Sequence, residues 1–131
     1  MKRILSLTAL LLTFFTSMTQ AQTGPEILES SGVQGGLVVH LGCNDAELTV
    51  ALRANDSYLV HGLDTDPDQV AAAREQIQEL GLSGPVSVST FDGEHLPYVD
   101  NLVNLLVAEE LDNVTVDEVM RVLAPQGVAY I

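Results

Sequence analysis

Residues 35–49 read GGLVVHLGCNDAELT. A valine-rich apolar run, Leu37 to Leu41, lies between glycines and then gives way to polar residues. A short apolar run bounded by glycine reads as a buried strand. The polar stretch after it has helical spacing, with Ala46, Leu48, Thr49 and Leu52 on one side of a helix over Asp45 to Ala54. A strand that meets a glycine turn and opens into a helix is a common place to hold a cofactor. Only Gly42 stands at this turn, where such loops usually carry two or three glycines.

The same unit recurs outward from this point. Pro25 to Ser31 reads as a short helical lead-in. Tyr58 to Leu63 (YLVHGL) is a second strand, and Asp64-Thr65-Asp66-Pro67 starts a helix. Asp66 can accept from its free amides while Pro67 takes the first helical position. Val70, Ala73, Ile77 and Leu80 share one face of that helix, and Gly81 ends it. Val86 to Thr90 alternates as a third strand. A loop with Gly93 and Pro97 runs from Asp92 to Asn101. Leu102 to Ala108 is a fourth strand, Val116 to Leu123 a helix, Pro125 to Gly127 a turn, and Val128 to Ile131 the start of a fifth strand.

Strands alternating with helices predict an α/β fold, a Rossmann-like doubly wound and mainly parallel sheet of about five strands. Ligands of such sheets bind beyond the carboxyl ends of the strands, near the switch point. Gly42, Asp64 and Asp92 each lie just past a strand end, so the fold predicts that they converge.

The first residues read differently. Lys2 and Arg3 precede an apolar stretch, Ile4 to Phe15, which ends in small and polar residues around Thr19, Gln20 and Ala21. This is the pattern of a secretory signal peptide over residues 1–21, leaving a domain over residues 22–131 that is exported to a periplasmic or extracellular space. The alternative is an uncleaved anchor, although the apolar stretch is short of the roughly 20 residues a span needs. The 131-residue chain carries 18 acidic and 5 basic residues, a formal charge of −13 that loss of the leader makes more negative. Such a surface repels phosphate backbones and anionic lipid, which excludes nucleic acid as a partner class. Cys43 is the only cysteine, so no internal disulfide can form. His40, His61 and His95 show no metal-ligand spacing.

Four segments in this order resemble the class I S-adenosylmethionine-dependent methyltransferases. VVHLGCNDAELT is similar to the first strand and glycine loop of that family, and LVHGLDTDP to its second strand. TFDGEHLPYVDNLVNLLV is similar to the segment that leads into strand four. EVMRVLAPQGVAYI is similar to the entry into strand five, with Glu118, Arg121, Val122, Leu123, Pro125 and Gly127 matching. The resemblance covers roughly Gly32 to the end. It implies S-adenosylmethionine as cofactor, held by the loop at Gly42 and Asn44, by Asp64 on the ribose hydroxyls and by Asp92 near the adenine amine. Backbone amides of a side-chain-free loop can approach a ligand, and a carboxylate can accept both hydrogen bonds of a ribose diol. Family members share no universal catalytic residue and act largely by placing the acceptor in line with the methyl group. No general base is therefore nominated, and the acceptor is open.

The chain also departs from the family pattern. His40 stands where an acid is usual, Asn44 and often Ala46 where glycine is, Asn104 where an acid is frequent, Ala124 in place of a lysine, and Gln126 in place of a glycine. Asn44 can preserve the loop shape because Asn reaches positive φ more readily than most residues. The family normally continues for two more strands, so the resemblance implies a truncated sheet whose open edge a further C-terminal domain or a protein partner would cover. Export would also separate the domain from a cofactor made inside cells. A second reading follows, in which an exported binding or structural domain keeps the fold without the chemistry. At single positions the alternatives are plain. Asp64 can serve the polar helix start, Asp92 an ordinary Asp-Gly turn, and His40 reads as a satisfied core histidine rather than a catalyst. Glu109, Glu110 and Asp112 follow strand four, where the resemblance implies contacts with the acceptor, but read first as a solvated acidic loop.

Overall fold

The computed structural model describes residues 23–43 and 46–131. The leader expected at residues 1–21 lies outside them, as does Asn44. Among the described residues nine elements follow in order: α1 (Gly24–Ser31), β1 (Gly36–Leu41), α2 (Ala46–Ala51), β2 (Tyr58–Asp64), α3 (Pro67–Glu79), β3 (Val86–Thr90), β4 (Val103–Ala108), α4 (Val116–Val122) and β5 (Leu123–Tyr130). The strands form one sheet in the order β3-β2-β1-β4-β5, with every neighbouring pair parallel. This is the doubly wound α/β sheet that the alternation predicts. The chain winds outward from β1 to β3, then returns to the far side of β1, so the switch point lies between β1 and β4.

Each face of the sheet has its own core. Val38 of β1 and Val60 of β2 point to one side and pack with Ile27 and Leu28 of α1, Ala46 of α2, and Val70, Ala73 and Ile77 of α3. Val39 and Leu41, the alternate residues of β1, point to the other side with Leu63, Leu106 and Ala108. There they meet Val119 and Val122 of α4, and Leu96 from the long connection between β3 and β4. Strands buried on both faces explain the continuous apolar runs of β1 and β4. No helix among the described residues is long and apolar enough to cross a membrane.

Local chemistry sets the ends of the elements. Thr23 and Glu26 cap α1 reciprocally: Thr23 Oγ1 accepts from the Glu26 amide, and the Glu26 carboxylate accepts from the Thr23 amide. Asp66 caps α3 by accepting from the Asp68 amide at 2.9 Å, with Pro67 in the first turn. Gly62 has a packing role. A Cβ there would stand 2.8 Å from Val88 Cγ1 and 3.3 Å from Cys43 and Thr49, so β2 can lie under α2 only without a side chain.

Three expectations are corrected. Helix α2 ends at Ala51 rather than at Ala54, and its last turn tightens as the Arg53 amide donates to the Val50 carbonyl. Leu80, expected on the buried face of α3, is 56% exposed because the helix stops at Glu79 and Gly81, with φ 71, turns the chain away. The turn expected at 125–127 lies inside β5. Leu123 already pairs with Val103, a shift of register follows, and pairing resumes at Leu105 with Val128. Gln126, with φ 68, takes up the extra length.

Candidate functional site

The carboxyl ends of the strands open into a cleft of about 880 Å³. His40, Leu41 and Gly42 come to it from β1, Asp64 and Thr65 from β2, Phe91, Asp92 and Gly93 from β3, and residues 109–114 from the connection between β4 and α4. The structure therefore brings Gly42, Asp64 and Asp92 together on one cleft. Asn44, the fourth residue named from the sequence, lies outside the described residues.

Gly42 has φ 83, and a Cβ there would meet nothing within 4 Å. The glycine is thus needed for the backbone turn rather than for room against a neighbour. Its amide donates to the Leu63 carbonyl at 2.7 Å, which ties the loop after β1 to the end of β2. Asp64 ends β2 half-buried, and its Oδ1 accepts from the Asp66 amide at 3.0 Å. A carboxylate offers about four lone-pair sites, so this local turn leaves Asp64 able to accept from a diol in the cleft.

Asp92 is more fully occupied. Its Oδ1 accepts from the amides of Glu94 at 2.8 Å and His95 at 2.7 Å, and its Oδ2 lies 2.8 Å from His95 Nδ1. These bonds, the His95 amide foremost, hold the carboxyl down at about 2. The same contact with Asp92 raises the pKa of His95. Asp92 thus builds the turn that carries Gly93 along the cleft wall, the role that its Asp-Gly pair allowed.

His40 is 5% exposed, and its Nδ1 lies 2.7 Å from Thr49 Oγ1 of α2. It is a buried, hydrogen-bonded histidine at the cleft floor, in line with the core reading. Cys43 is fully buried, and its thiol is pushed up to about 11 by desolvation and then by the charge of Asp64, which makes it an unreactive packing group.

Sequence reading passed over two features of the cleft. Phe91 lines it directly before Asp92, where an aromatic face can receive a planar ring. Its signal was an aromatic at the first position past β3. The second is charge. Among the described residues, Asp64, Asp92, Glu109, Glu110 and Asp112 line the cleft, and no lysine or arginine does. The sequence reading brings Asp64 and Asp92 together and has Glu109, Glu110 and Asp112 as a separate acidic loop, without joining the two groups in one cleft.

Residues 38–127 match the family described as methyltransferase domain. The chain belongs to the methyltransferase domain family. This methyltransferase domain is also similar in fold to solved structures. A Methanococcus maripaludis protein assigned to the S-adenosyl-L-methionine-dependent methyltransferases superposes with a TM-score of 0.72 at 20% identity, over 81% of this chain and 51% of that one. A geranyl diphosphate methyltransferase, solved in complex with S-adenosylmethionine, gives 0.71 at 19% identity, over 81% and 46%. The cyclase SpnF gives 0.69 at 27% identity, over 78% and 40%. The chain thus spans about half the length of these structures. No curated protein matches it.

Proposed function

We propose that the cleft binds S-adenosylmethionine and that the domain serves methyl transfer to a small acceptor. The observation that carries this reading is the convergence of Gly42, Asp64 and the Asp92 turn at the switch point of a sheet that belongs to the methyltransferase domain family. The residues present fit the group. Gly42 leaves the loop backbone unobstructed, Asp64 retains accepting capacity for a ribose diol, and Phe91 supplies a flat apolar face beside the Asp92 turn. Five carboxylates, with no lysine or arginine beside them among the described residues, also suit a cationic sulfonium. The complex with S-adenosylmethionine of the geranyl diphosphate methyltransferase supports the same ligand class.

When bound, the cofactor supplies an electrophilic methyl group. This chain's residues bind and orient it: Asp64 the ribose, the Gly42 loop the amino-acid end, and the Asp92 turn with Phe91 the base. Residues 109–114 form the remaining wall, on which an acceptor can rest. We further propose that residues 1–21 are a cleaved leader and that the domain works outside the cytoplasm, where the cofactor must be supplied. Mass spectrometry of the secreted chain checks this, with a new terminus at Gln22 expected.

Calorimetric titration of S-adenosylmethionine tests the binding reading. Micromolar affinity is expected. Asp64→Ala should weaken it by about 1.5–3 kcal/mol, the range for hydrogen bonds to a charged group, or roughly ten- to a hundredfold. No heat from a folded sample would contradict the proposal.

A further inference from the structure

Arg121 lies in the last turn of α4, away from the cleft, yet it holds one cleft wall by its backbone. Its Nη2 donates to the Leu96 carbonyl at 3.0 Å, and its Nη1 donates to the Tyr98 carbonyl at 2.8 Å and to Asp100 Oδ1 at 2.8 Å. Its Nε and Nη2 also donate to the two oxygens of Glu118, at 2.6 Å and 2.9 Å. Glu118 Oε2 in turn accepts from the Leu96 amide at 2.7 Å. The pair therefore grips Leu96 by both its amide and its carbonyl. Leu96 is 2% exposed, and it directly follows the turn that Asp92 makes with Glu94 and His95.

The grip has a second side. Tyr98 bonds His61 Nδ1 through its hydroxyl, and the two rings meet edge to face at 5.7 Å. The other ring nitrogen of His61 lies 3.1 Å from Ser89 Oγ. The long connection is thus fixed to the sheet through Tyr98 and to α4 through Arg121. Helix α4 itself starts where residues 109–114, the opposite cleft wall, end. Arg121 and Glu118 therefore join the two walls through one helix.

We infer that Arg121 is a positioning residue that sets the Asp92–Gly93 wall of the cleft at its distance from the 109–114 wall. It touches no ligand and acts through the Leu96 and Tyr98 carbonyls. This rests on the proposed cofactor site for its binding readout. A planar guanidinium serves two carbonyls and two carboxylates at fixed angles, and an ammonium cannot reach all four.

The test uses the full chain, with S-adenosylhomocysteine titrated by calorimetry and amide exchange followed by mass spectrometry. In Arg121→Ala the dissociation constant should rise roughly tenfold, within the range that remote positioning residues give. Exchange should quicken at Glu94 and His95 while the β1 and β2 amides keep their protection. Arg121→Lys should recover only part of the affinity. Glu118→Gln, which keeps an acceptor for the Leu96 amide, should fall between wild type and Arg121→Ala. Unchanged affinity and unchanged exchange at 94–95 in a folded Arg121→Ala chain would overturn the inference. So would a loss of affinity matched by quickened exchange throughout β1 and β2, since that is plain destabilisation. If Arg121→Ala does not fold, Arg121→Lys and Glu118→Gln decide by the same two readouts. If wild type itself binds no S-adenosylhomocysteine, the cofactor reading fails separately. The positioning role is then decided by exchange alone: quickening confined to the wall supports it, and none overturns it.

Discussion

The two faces of the sheet share apolar burial but are closed by different kinds of segment. The face under α1, α2 and α3 is closed by apolar stripes: Ile27 and Leu28, Ala46, then Val70, Ala73 and Ile77. The other face is closed by the short helix α4 and by a connection with no helix of its own, bound by Arg121, Glu118 and the Tyr98–His61 pair. Burial without direction fixes the first face. The second has an apolar core as well, around Leu96, Val119 and Val122, but its long connection is held in addition by directed polar bonds, and that connection carries the Asp92 wall of the cleft. A site wall set by a few aimed bonds can be moved without unfolding the sheet, and the helix-packed face cannot.

The largest expected effect breaks the first face. Ile77→Ala removes a side chain that is 2% exposed, and it should cost about 2–5 kcal/mol in urea unfolding. Below that comes Gly62→Ala, whose added methyl meets Val88 at 2.8 Å. Overpacking of this kind costs roughly 1–3 kcal/mol. Both should lower stability far more than they alter the cofactor affinity of the fraction still folded. Arg121→Ala should show the reverse order, and a stability loss equal to that of Ile77→Ala would erase the contrast between the faces.

A smaller effect separates the faces by pH. Arg121, and more weakly the Leu96 amide, hold the Glu118 carboxyl at about 2 against an ordinary 4.5. Its folded pKa is depressed, so its stabilisation is fully present above about 4.5 and is lost as the pH falls towards 2. Urea unfolding of wild type and Glu118→Gln should therefore converge as the pH is lowered through that window. A constant gap between them at every pH would mean that the carboxylate charge does not hold this face.

The smallest effect concerns the cleft charge. S-adenosylmethionine carries a sulfonium and S-adenosylhomocysteine does not, so the five carboxylates should favour the first. That preference should shrink with salt, since the Debye length falls from about 30 Å at 0.01 M to about 3 Å at 1 M. A preference independent of salt would remove the acidic lining from the account.

The contrast between the faces also explains what could be read from the sequence. The strand VVHL, the Asp66-Pro67 helix start and the Val70–Ala73–Ile77 stripe are local patterns, and local patterns survive into the fold. The meeting of Gly42, Asp64 and Asp92 followed from topology alone, since each lies at or just past the end of a parallel strand. The grip on Leu96 spans 22 residues to Glu118 and 25 to Arg121, and no periodicity encodes it. The shift of register in β5 was hidden for a related reason: Pro125 and Gly127 read as a turn, while the neighbouring β4 draws the segment into the ladder. Leu80 failed because the stripe continues in sequence one residue beyond the point where the helix stops.

The most direct test of the central claim, that the switch-point cleft is the cofactor site, is an amide NMR titration of the labelled chain with S-adenosylhomocysteine. The account predicts shifts that saturate at micromolar ligand and cluster at Gly42, Asp64, Thr65, Asp92, Gly93 and residues 109–114, with α1 silent. Shifts centred elsewhere, such as the shallow groove at Leu28, Gly32 and Tyr58, or no shifts at millimolar ligand, would contradict it.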